Sequence, residues 1–94
     1  MDMNNENHGD WRPKLNSDLV MQIVEKEAIL LDKGNERVHQ LNEVGTAILQ
    51  LCNGIRTVGE IVVTVVERYD VSEDTARTDA RELLDRMRHL AILV

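Results

Sequence analysis

Apolar residues in the first half of the chain fall into three short runs, at residues 19–24, 28–32 and 37–41. Short polar segments separate the runs, and the second segment contains a Gly-Asn pair typical of tight turns. Runs of this length, rich in aliphatic and β-branched side chains, predict three antiparallel strands connected as a meander. The middle run is apolar on both faces, so we expect it to be covered on both sides.

From residue 43 onward the apolar residues recur at helical spacing. Asn42 is a suitable N-cap for a first helix, Thr57 and Glu60 form a capping box for a second, and Ser72 caps the third and longest. Gly54 supplies a left-handed stop after the first helix. The predicted helices cover residues 43–53, 58–68 and 73 to about 90, and an apolar end at 92–94 is expected to tuck against the sheet.

These elements predict an α+β fold in which a three-stranded antiparallel sheet is followed by three α-helices. This is the outline of a winged helix-turn-helix-like domain whose strands come first. Residues 1–16 are polar and contain Gly9 and Pro13, so we expect a flexible N-terminal tail followed by one domain over residues 17–94. Trp11 is the exception, because a lone Trp in a polar arm is expected to dock back onto the domain, with a partner contact as the alternative.

Composition narrows the possible partners. The 94 residues include 11 Lys and Arg against 17 Asp and Glu, which gives a net charge of −6. A charge of this sign disfavours binding to nucleic acid or to an anionic membrane. The chain has one cysteine and no apolar stretch of membrane-spanning length, so we expect a cytoplasmic protein without a disulfide.

The sequence offers no converging set of catalytic groups. Cys52 lies on an apolar helix face and is expected to be a small buried hydrophobe. The three histidines, His8, His39 and His89, are far apart and fit no metal-binding spacing. The glycines form no phosphate-binding loop. We therefore expect no enzymatic activity, no cofactor and no metal.

The third helix has one apolar face with two different polar flanks. The apolar face consists of Ala76, Ala80, Leu83, Leu84, Met87 and Leu90. One flank carries Arg77, Arg81 and Arg88, and the other carries Asp79, Glu82 and Arg86. The arginine flank is either a solvated surface supported by charge pairs along the helix or one wall of a binding groove.

Several short motifs of the chain stand out in combination. They are Arg12-Pro13-Lys14-Leu15, Leu30-Leu31-Asp32, Leu41-Asn42-Glu43-Val44-Gly45, Ile48, Leu51, Asn53-Gly54, Thr57-Val58, Glu60-Ile61 and Tyr69. Together these motifs resemble the PqqD family, and the resemblance covers about residues 12–94. The resemblance implies a winged-helix peptide chaperone, also called a RiPP recognition element, that takes up the leader of a ribosomally made precursor as an extra strand.

Carried onto this chain, the resemblance implies a docking edge and a facing helical wall. The edge is Arg37, Val38, His39, Gln40 and Leu41, and the wall is Ala76, Arg77, Ala80, Arg81, Leu84 and Met87. The cations among these residues predict an acidic leader. Val38 and His39 occupy positions where relatives often carry aromatics, so peptide preference is expected to diverge there.

The resulting hypothesis is a non-catalytic chaperone that binds a leader peptide and presents the precursor to a modifying enzyme, by resemblance a radical SAM enzyme as in pyrroloquinoline quinone biosynthesis. Two other classes stay open. A winged helix can place its third helix in the major groove of DNA, which the net charge disfavours. A domain with an open strand edge can also act as a plain interaction module, so we expect a monomer or a weak homodimer.

Overall fold

Three strands precede three helices, as the sequence predicts. The computed structural model describes residues 10–94. Within this part of the chain the elements are β1 (Leu19–Val24), β2 (Glu27–Asp32), β3 (Arg37–Leu41), α1 (Glu43–Gln50), α2 (Val58–Arg68) and α3 (Glu73–His89). The α+β fold class and the predicted order of elements are confirmed.

The sheet is an antiparallel meander in the order β1-β2-β3. Leu30 at its centre lies opposite Met21 of β1 and His39 of β3. Because side chains alternate across a strand, these three residues point to the same face, which the helices cover. Leu30 is fully buried there.

The other face of the sheet is open, which corrects the expectation that β2 is covered on both sides. Ile29 and Leu31 on this outer face are only half-buried. Val20 and Val38, which flank Leu31 on the neighbouring strands, are exposed. The reason is that the buried core lies on the inner face, so the apolar run of β2 has only one partner layer.

The two hairpins turn by different means. Asp32 and Asn35 stabilise the second turn, because the Asp32 carboxylate accepts from the backbone and side-chain nitrogens of Asn35 at 3.3 and 2.9 Å. The first turn consists of Glu25 and Lys26, whose φ angles of 52° and 72° are both left-handed. Two consecutive residues with positive φ are the geometry of the tightest hairpin turns, which usually select Asn or Gly.

The helices begin at the predicted residues. Asn42 caps α1 by accepting from the Gly45 backbone N–H at 2.8 Å. Thr57 and Glu60 form the predicted capping box of α2, and the Ser72 side chain caps α3. The first helix ends earlier than predicted, with Leu51 as its C-cap.

The core lies between the inner face of the sheet and the three helices. It is almost wholly aliphatic, because α1, α2 and α3 each direct one apolar face inward. Its fully buried larger residues are Leu30, Ile48, Leu49, Ile61, Val65, Leu84, Ile92 and Leu93, together with Pro13.

The described part of the predicted tail, residues 10–16, packs onto the domain, so the predicted boundary after residue 16 is wrong for this segment. Pro13 is fully buried. Trp11 packs against the core, as predicted, and its indole Nε1 donates to the Val94 carbonyl at 3.2 Å. The Arg88 guanidinium lies 4.4 Å from the centre of the indole ring. The rest of the predicted tail, residues 1–9, lies outside the described residues.

Pairing between the two ends of the chain explains this packing. Lys14 and Val94 exchange backbone hydrogen bonds of 3.1 and 2.8 Å, and the Asn16 N–H donates to the Ile92 carbonyl at 2.8 Å. The apolar C-terminal residues therefore pair with the N-terminal segment, which satisfies backbone groups that the burial of Ile92 and Leu93 removes from water.

Candidate functional site

The third strand forms one open edge of the sheet. It pairs only with β2, and in the described residues no backbone-to-backbone hydrogen bond joins it to another element. An edge strand presents a row of N–H and C=O groups that another strand can pair with. The edge of β3 is therefore an available template for an added strand.

A groove of about 330 Å³ lies where this edge meets the helices. Residues of β3, α1 and α3 form it. No Cα atom of α3 lies within 8 Å of a Cα atom of β3, and both elements are described in full. Neighbouring strands in a sheet are about 4.8 Å apart, so the backbone of α3 does not occupy the position next to β3. The lining residues are Gln40, Leu41, Asn42, Val44, Gly45, Ile48, Asp79, Glu82, Leu83 and Arg86.

The floor of the groove is apolar where α1 approaches α3. Leu41, Val44, Ile48 and Leu83 supply it. Gly45 lies beside this floor, and a Cβ at this position would be in ordinary contact with Leu83 Cδ2 at 3.6 Å but only 3.2 Å from the capping oxygen of Asn42. A side chain at position 45 would therefore press first on the helix cap.

The wall that α3 contributes is charged. Asp79, Glu82 and Arg86 are exposed. In the described part of the chain none of them forms an ion pair. Two carboxylates and one guanidinium leave this wall with a net charge of −1.

The predicted edge residues are all on β3, but they differ in where they point. Gln40 and Leu41 line the groove. Val38 points to the open outer face and is 66% exposed. Arg37 is exposed at the start of the strand, and His39 is half-buried on the inner face.

The predicted helical wall lies elsewhere on α3, outside the lining of this groove. Ala76, Ala80, Leu84 and Met87 are buried in the core, so these side chains do not line the groove. Arg77 pairs with Glu73 one turn away, and Arg81 is exposed; neither contributes to the lining. The groove instead uses the other flank of the same helix. Whether any of these residues binds peptide stays a prediction.

The physical reason is that the apolar face of α3 is bordered on both sides by polar residues. Leu84 sits at the buried centre of that face, whereas half-buried Leu83 marks the border nearest β3. Periodicity identifies the face but does not say which border meets the sheet edge. On a helical wheel Leu83 lies beside Asp79 and Glu82, and this placement was the one sequence feature that could have assigned the acidic flank to the groove.

His39 carries an unsatisfied polar atom. Its Nε2 is buried and has no hydrogen-bond partner in the described residues. Asp32, also on the inner face, has a pKa below its usual value, chiefly because Asn35 donates a side-chain hydrogen bond to it and to a lesser extent because of the charge of His39. The inner face of the sheet is therefore polar at this end and apolar towards Leu41.

The side chain of Thr46 on α1 links the helix to the strands at the end of the groove near Leu41. Its side chain is buried, and its Oγ1 accepts from the Ala28 backbone N–H at 2.8 Å. The same hydroxyl donates to the Leu41 carbonyl at 3.4 Å. One side chain thus ties β2, the end of β3 and α1 together.

Two further observations concern chemistry. Cys52 is buried, as predicted, and desolvation raises the pKa of its thiol to about 12. Over residues 10–94 no cluster of three or more His, Cys, Asp or Glu side chains is placed to hold a metal ion. None of the helices in the same range has the length and apolar character needed to cross a membrane.

The fold is that of RiPP recognition elements. The chain belongs to the PqqD family, whose family model, described as Coenzyme PQQ synthesis protein D, matches residues 27–93. A search of curated proteins finds no match.

Solved structures of related fold include two complexes with leader peptides. TbiB1 in complex with the TbiA(beta) leader peptide has a TM-score of 0.77 and 25% identity, over 85% of this chain and 93% of that chain. A lasso peptide synthetase B1 complexed with the leader peptide also has a TM-score of 0.77, with 17% identity over 88% and 98%. The stand-alone RiPP recognition element of Methylobacterium extorquens PqqCD has a TM-score of 0.71 and 24% identity over 87% of each chain.

Proposed function

We propose that this protein binds the leader of a ribosomally made precursor peptide as a fourth strand on β3 and presents the precursor to a modifying enzyme. The observation that carries the proposal is the open edge of β3 beside a groove with an apolar floor. The likeness to TbiB1, which is described in complex with a leader peptide, supports it. The protein contributes binding and no bond-making step of its own.

Strand addition suits this role physically. Main-chain hydrogen bonds along β3 supply affinity that depends little on peptide sequence, while the groove selects side chains. Holding the leader raises the effective concentration of the attached core peptide at the enzyme's active site. A separate recognition domain can therefore serve an enzyme without sharing in its chemistry.

Two classes of partner enzyme fit the comparisons. The family description points to coenzyme PQQ synthesis, for which the expected partner is a radical SAM enzyme. The likeness in fold to a lasso peptide synthetase B1 complexed with the leader peptide makes a lasso peptide synthetase the alternative. Co-purification with the enzyme encoded beside this chain's gene distinguishes the two.

Isothermal titration with the precursor encoded beside the gene tests the proposal. Leu83→Lys places a charged chain on the apolar floor and should weaken leader binding about tenfold or more, since tenfold corresponds to about 1.4 kcal/mol. The control is Val63→Lys, because Val63 on α2 is 55% exposed and lies outside the groove lining. Failure of the leader to bind, with or without the partner enzyme, or equal weakening by both variants would contradict the proposal.

The other functional classes have simple tests. The surface of α3 interleaves five acidic residues with four arginines, which disfavours docking into a DNA groove. A mobility shift at low salt that disappears steeply as salt rises would favour DNA binding. Sedimentation over a concentration series tests self-pairing, for which we expect a monomer or a weak dimer.

A further inference from the structure

We infer that the strand taken up by the groove presents a lysine or arginine to Asp79 and Glu82 and apolar side chains to the groove floor. This inference rests on the peptide-binding function proposed above and reverses the acidic leader expected from the sequence.

The charge on the α3 wall carries the first half of the inference. Asp79 and Glu82 both line the groove, and no cation among residues 10–94 neutralises either carboxylate through an ion pair. Arg86 lies one turn beyond Glu82, yet the pair is not within ion-pair distance. Either kind of peptide charge would meet two carboxylates and one guanidinium, so the net charge of −1 on this wall favours a peptide cation over a peptide carboxylate.

The position of the arginines on the far flank of α3 removes one part of the basis for an acidic leader and leaves Arg37, exposed at the start of β3, as the cation on the docking edge. Arg77 is engaged by Glu73, and Arg88 lies over the Trp11 ring. Both lie on the flank of α3 that faces away from the groove lining. The arginine flank therefore cannot meet a strand that pairs with β3.

The floor carries the second half of the inference. Leu41, Val44, Ile48 and Leu83 come together from three elements, and they form the apolar part of the lining. Side chains of an added strand alternate between the helix side and the outer face. Those on the helix side would cover this floor, so apolar and basic residues should recur at alternate positions of the peptide.

A matched pair of neutralised variants tests the charge. Asp79→Asn with Glu82→Gln removes both carboxylates from the groove. Asp74→Asn with Glu67→Gln removes one aspartate and one glutamate from exposed positions outside the lining, so the change in net charge is the same. Melting curves of the two variants establish that both remain folded.

The probe is a phage-displayed library of random 12-residue peptides, selected in parallel on the natural protein and on each double variant. We expect peptides from the natural protein and from the Asp74/Glu67 variant to be enriched in Lys or Arg spaced two residues from an apolar residue. The Asp79/Glu82 variant should lose the basic enrichment and keep the apolar one. Replacing the selected Lys by Gln should weaken binding to the natural protein about threefold to tenfold and leave binding to the Asp79/Glu82 variant unchanged.

Two failures are distinguishable. If the selected peptides shift β3 amide resonances but carry no basic enrichment, or an acidic one, the charge inference is overturned while the strand-addition function stands. If no peptide is selected, or the selected peptides leave the β3 resonances unmoved, the peptide-binding function itself fails.

Discussion

Removing the buried hydroxyl of Thr46 should destabilise the domain far more than its size suggests. Thr46→Val keeps the shape of the side chain but leaves the Ala28 N–H, now bonded at 2.8 Å, without an acceptor. It also removes the donor to the Leu41 carbonyl. A buried donor left unsatisfied costs about 1–3 kcal/mol. For a domain of this size that corresponds to a fall in Tm of about 4–24 °C.

Thermal unfolding followed by circular dichroism measures the effect. The control is the same substitution at Thr64 on α2, whose hydroxyl donates to the Glu60 carbonyl one turn earlier in the same helix at 2.9 Å. Thr64→Val should change Tm by no more than about 2 °C, because that hydroxyl is not the acceptor of a buried N–H. Equal Tm values for the two variants would refute the reasoning about Thr46.

Three further predictions concern the rest of the domain. Trp11→Ala should lower the free energy of unfolding by about 1–3 kcal/mol in urea titrations, because it removes ring packing and the Arg88 contact; an unchanged midpoint would contradict the docking of this segment. Cys52 should resist labelling by iodoacetamide in the native protein at pH 8 and react fully in urea, since its thiol pKa is about 12; rapid native labelling would contradict its burial. The pKa of Asp32 is lowered in the folded state, so its stabilising contribution is complete above its usual value of 3.8 and is lost as pH falls through the lower folded value. Asp32→Asn should therefore flatten the loss of Tm below about pH 4, and an unchanged acid profile would contradict the Asn35 hydrogen bonds as its cause.

The order of elements was predictable because the spacing of apolar residues along the chain changes only once, from strand-like runs to helical spacing. Before residue 42 the runs are short and separated by turn residues, and after it the spacing is helical. Capping is also a local property. Asn42, Thr57 and Ser72 cap the three helices as predicted, since each needs only residues within its own first turn.

Features that depend on distant contacts were not predictable in the same way. The segment around Pro13 looks like a tail because its backbone partners lie at the other end of the chain, at Val94 and Ile92. Glu25 and Lys26 both have positive φ angles, but neither is the Gly or Asn that would have predicted this turn from the sequence. Both are decided by long-range packing and by the register of the sheet.

The candidate site was predictable only in part for the same reason. The resemblance and the polarity of β3 pointed to the edge strand, and Gln40 and Leu41 do line the groove. The facing wall required knowledge of how α3 rotates about its own axis in the fold. That rotation places Glu82 in the groove and Arg81 outside it, although the two residues are adjacent in sequence.

An NMR titration with the leader peptide of the neighbouring precursor tests the central claim most directly. We predict that the backbone amide resonances of β3, with those of Gly45 and Leu83, shift most, and that alternate β3 amides become protected from hydrogen exchange. Shifts confined to the arginine flank around Arg77 and Arg81, with no new protection along β3, would contradict strand addition at this groove.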